Sequence, residues 1–226
     1  MGAGEAQVKV WDAPVRLFHW LLVLLFAFSF FTGKSGSEWT EWHMRSGYTI
    51  LGLLLFRVMW GFAGSTHARF ASFLAGPAAC FGFAKKLLTR APAPYAGHNP
   101  LGGWMVLVLL LALLFQTGTG LFANDDVLSE GPLAALVSKA TSDQLTTYHS
   151  WNFNLLLLLV GLHVIAVLYH AGFMKENLIG AMFTGVKSMP ADAAGRVVTR
   201  FASPWLALVL LCVAALAVFL IVKRPF

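Results

Sequence analysis

Five apolar runs, each about as long as a bilayer is thick, leave this chain of 226 residues few folds other than a bundle of membrane-spanning helices. A helix needs about 20 mostly apolar residues to cross the hydrocarbon layer. The runs lie at Val15 to Thr32, His43 to Phe62, Leu101 to Phe122, Ser150 to Ala171 and Pro204 to Val222. Composition agrees: 12% of residues are charged, against about a quarter in soluble domains. The expected fold is all-α: a transmembrane four-helix bundle over residues 1–190, then a linker and a fifth transmembrane helix over residues 191–226. The first run follows Lys9 and Arg16, as in a signal peptide. It carries His19 and Trp20 near its start and no A-x-A site after it, so it reads as an uncleaved helix.

The formal net charge is +6. In a soluble protein that excess would suggest nucleic acid, but no basic stripe here has interleaved polar residues to read bases. The charges lie between the apolar runs and set topology instead. Lys9, Arg16, Arg69, Lys85, Lys86, Arg90, Lys175, Lys187, Arg196 and Arg200 fall on one side. Lys34, Arg45 and Lys139 fall on the other, among six acidic residues. The basic side, with the N-terminus, is therefore expected in the cytoplasm. Lys223 and Arg224 depart from this pattern. The loop from Gly64 to Pro100 contains a weakly amphipathic stretch near Ala78 to Leu88, and the stretch from Lys175 to Ser203 is similar; both suit the cytoplasmic membrane surface. Cys80 and Cys212 form no CxxC, and no CxxCH exists, which excludes covalently attached c-type haem.

The third and fifth runs are almost purely Leu, Val and Ala, whereas the first, second and fourth carry histidines. A polar side chain inside a membrane helix is costly and faces the bundle interior. His149 and His163 are 14 residues apart, or about 21 Å along a helix axis and within about 40° of the same face. One face thus offers two ligands, one towards each membrane surface. Chain direction then pairs the rest by depth. His43 and His149 lie towards the outer side, and His19 and His163 towards the cytoplasm. His170 shares the face of His163 and is the alternative inner ligand, although its place at the helix end beside Tyr169 favours His163. Two pairs about 20 Å apart suit two planar cofactors better than one zinc or copper ion, whose ligands must converge on a point. Arg16, Arg45 and Arg57 sit near helix ends, where haem propionates would lie or where arginines snorkel. Gly47 and Gly161 either admit a porphyrin or pack helices.

The segments VWDAPVRLFHW, WHMRSGYTILGLLLFRVMWG, GHNPLGG at Gly97 to Gly103 and YHSWNFNLLLLLVGLHVIAVLYH resemble the bacterial di-haem cytochrome b family. That family includes bacterial cytochrome b561 and the cytochrome b subunits of nickel-iron hydrogenases. The membrane subunit of respiratory formate dehydrogenase is a more distant relative. The resemblance covers residues 8 to 190. It implies a four-helix core with two haem b groups, each held by two histidines from different helices, and the matching positions are His19, His43, His149 and His163. It also implies electron exchange with quinone or with a redox partner protein, a hydrogenase or a c-type cytochrome, in the bacterial inner membrane. The fifth helix and the long loop at Gly64 to Pro100 depart from the simplest members.

No GxGxxG and no soluble catalytic domain is present, so the expectation is an electron-transfer subunit rather than a stand-alone enzyme. The competing readings are a haem-free membrane anchor and a histidine-based metal permease. The cytoplasmic end offers His98, Asn99 and His170 to a quinone, while the outer end offers Trp39, Trp42 and Asn124 beside an acidic loop that suits a basic partner. That contrast places quinone at the inner end. The bland alternative is that His98 caps a helix and His170 reaches for water.

Overall fold

The computed structural model describes residues 4–88, 94–127 and 129–223. In chain order the elements are β1 (Glu5–Lys9), α1 (Ala13–Thr32), α2 (Thr40–Ala63), α3 (Phe70–Phe73), α4 (Pro77–Leu88), α5 (Pro100–Gly120), α6 (Lys139–Gly172), α7 (Leu178–Thr184), β2 (Val186–Pro190), α8 (Ala191–Ala194) and α9 (Pro204–Val222). Five helices, α1, α2, α5, α6 and α9, are long and apolar enough to cross a membrane. They match the five apolar runs, and the chain is a helical, multi-pass membrane protein. Arg90 and Arg224, two of the basic residues weighed above, lie outside the described residues.

Local chemistry explains where the helices start. Asp12 caps α1, its Oδ1 accepting the Val15 N–H at 2.8 Å. Asn99 caps α5 by accepting the Gly102 N–H at 2.8 Å. Pro77, Pro100 and Pro204 each occupy a first helical position, where the missing N–H costs nothing. The largest departure from expectation is α6, which begins at Lys139 rather than Ser150. Its 34 residues span about 51 Å, well beyond a hydrocarbon layer of about 30 Å. The extra turns are polar but helical, started by Ser138, whose Oγ accepts the Thr141 N–H at 3.2 Å, and braced by the Lys139–Asp143 ion pair.

The chain divides into two compact units, and each of the five long helices contributes a part to both. The first unit comprises Met1–Leu17, Met59–Val108 and Leu159–Ala207. Within it β1 and β2 pair antiparallel, with Glu5 opposite Pro190 and Lys9 opposite Val186. These strands are the element the all-helical expectation lacks. Burial alternates along β2, with Lys187 and Met189 turned inward, as a two-residue period requires. Gly185, at φ +83°, lets its carbonyl accept both the Val10 N–H (2.8 Å) and the Trp11 N–H (3.1 Å). A Cβ there would lie 2.6 Å from the Trp11 carbonyl. The Trp60 indole, fully buried, donates to Asp12 Oδ2 at 3.0 Å.

The second unit comprises Phe18–Val58, Leu109–Leu158 and Leu208–Phe226. Leu54 and Leu156 are fully buried within it. Phe30 stacks on Phe153 with ring centres 5.5 Å apart. Ser46 Oγ donates to Ser29 Oγ at 3.0 Å, joining α2 to α1. Leu24, Leu158 and Phe219, among many others, stay exposed, as side chains facing lipid must.

Candidate functional site

His43 on α2 and His149 on α6 face each other, with ring centres 6.2 Å apart and planes at 82°. Each ring is held by the helix that precedes its own in the chain. His43 Nδ1 lies 3.0 Å from the Ser29 carbonyl on α1. His149 Nδ1 lies 2.9 Å from the Gln116 carbonyl on α5. A carbonyl only accepts, so each Nδ1 must carry the proton and donate it. That fixes the tautomer and leaves Nε2 with its lone pair, as a metal ligand requires.

A bis-histidine metal site fits this geometry. Imidazole nitrogens lie roughly 1 Å from the ring centre and metal–nitrogen bonds are about 2 Å, so an ion between two rings sets their centres about 6 Å apart. The observed 6.2 Å agrees. Both rings are half-buried. Among the described residues no three His, Cys, Asp or Glu side chains converge as an all-protein ion site would. Two opposed histidines with the remaining positions left to another ligand suit haem iron.

The other sequence candidates stand as follows. His19 lies in the second turn of α1 and meets Trp20 edge-on at 5.0 Å. His163 lies on α6, fourteen residues beyond His149, and both are half-buried. Arg57 is buried on α2, 3% exposed, fourteen residues beyond His43. Its interval from His43 repeats that between the two histidines of α6. Arg16 donates to the Phe183 carbonyl, while its Nε is buried with no hydrogen-bond partner. Arg45 is exposed, paired with Glu41 and lying over the Trp42 ring.

At the basic end His98 is packed by Trp11 and Phe73, each ring centre 4.8 Å away. The helix cap is its neighbour Asn99. His170 is buried, its Nδ1 2.9 Å from Glu176 Oε2. The buried Lys187 lies 3.6 Å from Glu176 Oε1 and donates to the Tyr95 carbonyl at 2.7 Å. The His170 hydrogen bond, and after it Lys187, hold the Glu176 carboxyl below the usual carboxylate range against the opposing effect of burial. Among the acidic-side candidates, Trp39 packs edge-on against Phe31. Asn124 donates to Ser142 and Asp143, tying the following loop to α6.

Sequence reasoning missed the supports of the two histidines. Thr32 Oγ1 lies 3.5 Å from His43 Nδ1, and Thr119 Oγ1 lies 3.2 Å from His149 Nδ1. Gly33 and Gly120 follow these threonines beneath the two rings. Asn152, one turn after His149, donates to the Ala112 carbonyl and to Gln116 Oε1. The available signal was a Thr-Gly pair at the ends of the first and third apolar runs, placed three and four residues after the residue whose carbonyl accepts from each ring.

Known proteins resemble the chain over most of its length. The sequence profile of the family described as "Prokaryotic cytochrome b561" matches residues 10–185. A protein of Rhizobium leguminosarum bv. viciae named "Probable Ni/Fe-hydrogenase B-type cytochrome subunit" is 28% identical over 219 residues, covering 79% of this chain and 88% of its own. Proteins of the same name from Azotobacter chroococcum mcd 1 and Cupriavidus necator are 26% and 22% identical, each covering 83% of this chain and 91% and 89% of their own. No solved structure matched the chain.

Proposed function

This chain belongs to the prokaryotic cytochrome b561 family, and on that premise we propose that it holds two haem b groups and passes electrons between a quinone and a redox protein. That it is a membrane b-type cytochrome of electron transfer follows from the family and the relatives. The outer haem rests chiefly on one observation, the opposed His43 and His149 rings with both Nδ1 atoms committed to carbonyls, and the second haem on the fourteen-residue interval from His149 to His163 along α6. Each haem, when bound, supplies a one-electron carrier whose potential its surroundings tune.

His43 and His149 hold the outer group. His19 and His163 hold the inner one, supported by the fourteen-residue interval on α6. Arg57 supplies a buried positive charge at the corresponding interval on α2. Arg16 and Arg45 serve propionates nearer the two surfaces. His170 lies in the last turn of α6, and that place at the helix end favours His163 as the ligand. The basic-residue bias puts the N-terminus in the cytoplasm of a bacterial inner membrane.

The relatives' name supports a hydrogenase as the partner protein, with a c-type cytochrome as the alternative from charge complementarity at the acidic loop. Quinone exchange belongs at the opposite end, where His170, hydrogen-bonded to Glu176 at the end of α6, and His98 beside the start of α5 offer polar groups. A quinol-driven reduction rate unchanged in both His98→Ala and His170→Ala would overturn that placement.

Pyridine haemochrome assay of the purified protein, with a reduced-minus-oxidised spectrum, tests the main reading. The expected result is two haem b per chain. One haem would remove the inner site, and none would leave a haem-free anchor.

A further inference from the structure

The supports beneath the two opposed histidines repeat one another in detail. At the end of α1, Ser29 gives the carbonyl, Thr32 a hydroxyl three residues later, and Gly33, the first residue past the helix, a bare α-carbon. On α5, Gln116, Thr119 and Gly120 stand in the same order and spacing. Neither set lies on the helix that carries its histidine. Each belongs to the preceding helix of an α1–α2 or α5–α6 hairpin.

The chemistry of each part is definite. Thr32 Oγ1 lies 3.0 Å from the Phe28 carbonyl, and Thr119 Oγ1 lies 2.9 Å from the Phe115 carbonyl. A threonine has one hydroxyl proton, and here its own helix takes it. The remaining lone pairs face Nδ1 of the histidine, so the hydroxyl acts as a second acceptor beside the carbonyl. The glycines govern distance. A Cβ on Gly33 would lie 2.9 Å from His43 Cε1 and 3.0 Å from its Nδ1. A Cβ on Gly120 would lie 3.0 Å from His149 Cε1 and 3.3 Å from its Nδ1. Either methyl would drive the ring off its carbonyl or the helices apart. By contrast, a Cβ on Gly118, on the same helix, meets nothing within 4 Å.

We propose that Thr32–Gly33 and Thr119–Gly120 are matched positioning devices that set the orientation and donor strength of His43 and His149 from their Nδ1 side. The proposal rests on the reading of these two histidines as haem ligands. The glycines admit the rings to within hydrogen-bond reach of the carbonyls. The threonines add a second acceptor to each Nδ1–H, which makes the imidazole a stronger donor and favours the oxidised iron. Both ligands of one haem are therefore tuned alike, and that haem's midpoint potential is lowered.

The test uses full-length protein purified in detergent, with three readouts: haem content, the low-field EPR signal of the low-spin ferric state, and midpoint potentials from optical redox titration. Gly33→Ala and Gly120→Ala should each lose up to half the haem or shift one EPR signal, while Gly118→Ala matches the unaltered protein. Thr32→Val and Thr119→Val should each retain haem and raise the midpoint of the same single haem, and Thr→Ser should restore it. Should a glycine variant fail to accumulate, the threonine pair decides the matter. Midpoints and EPR signals identical to those of Gly118→Ala would overturn the proposal, as would an effect of one threonine without the other. An unaltered protein that binds no haem would refute the ligand reading itself, whereas two haems with indifferent threonine variants would refute only the devices.

Discussion

The opposed pair His43 and His149 is used differently from His67, His98 and His170. In the unit built from Phe18–Val58, Leu109–Leu158 and Leu208–Phe226, His43 and His149 each give Nδ1 to a backbone carbonyl and turn the rest of the ring towards the other. In the other unit, His67 uses Nε2 against Thr199 Oγ1 at 2.9 Å, His170 uses Nδ1 against a carboxylate, and His98 is packed by two aromatic rings. Burial pushes the His67 imidazole below its usual range. Any acceptor on Nδ1 leaves Nε2 as the metal donor, so what sets the proposed ligands His43 and His149 apart is that their rings also oppose each other, whereas the Thr199 contact occupies Nε2 of His67.

If that division holds, substitutions in the structural networks and at the opposed histidine pair should separate stability from haem content. The largest stability effect is expected at Asp12, which both caps α1 and accepts the buried Trp60 indole. Asp12→Ala loses the cap, at about 1 kcal/mol, and leaves a buried donor unsatisfied, at about 1–3 kcal/mol. Thermal unfolding in detergent should fall by several degrees while haem per folded chain stays unchanged. An unaltered midpoint temperature would show that this network contributes little.

A smaller, pH-dependent effect is expected at Glu176. Its carboxyl is held below the usual range by the His170 hydrogen bond first and by Lys187 after it. A carboxyl depressed in the folded state stabilises the fold above its unfolded pKa, about 4.3, and that stabilisation is lost as pH falls through the folded value. The protein should lose stability on acidification from about pH 5 downward. Glu176→Gln should be less stable than the parent at neutral pH and flatter across that window. Parallel pH profiles for the two proteins would place the acid sensitivity elsewhere.

How far the fold is legible in the sequence follows the same division. The five long helices are readable because lipid demands an apolar run of fixed length, which hydropathy reports directly. The start of α6 is not, since Lys139 to His149 is polar and its helix rests on a Ser138 cap and ion pairs that carry no hydropathy signal. The β1–β2 ladder joins Glu5 to Pro190, and nothing local in either five-residue stretch names the other as its partner. At the site, the pairing of His43 with His149 is readable from helix direction and depth alone. Thr32, Gly33, Thr119 and Gly120 are not, because each acts on a histidine of a different helix. The accepting carbonyls belong to Ser29 and Gln116, whose side chains share no pattern.

The division between the two kinds of histidine, and with it the outer site, is tested most directly by haem stoichiometry in single variants. Pyridine haemochrome assay of His43→Ala, His149→Ala and His67→Ala, each normalised to purified chain, compares two proposed ligands with one structural histidine. The expected result is about half the parental haem in the first two, from loss of the same one of two groups, and full haem in the third. Full haem in His43→Ala or His149→Ala, or an equal loss in His67→Ala, would contradict the account.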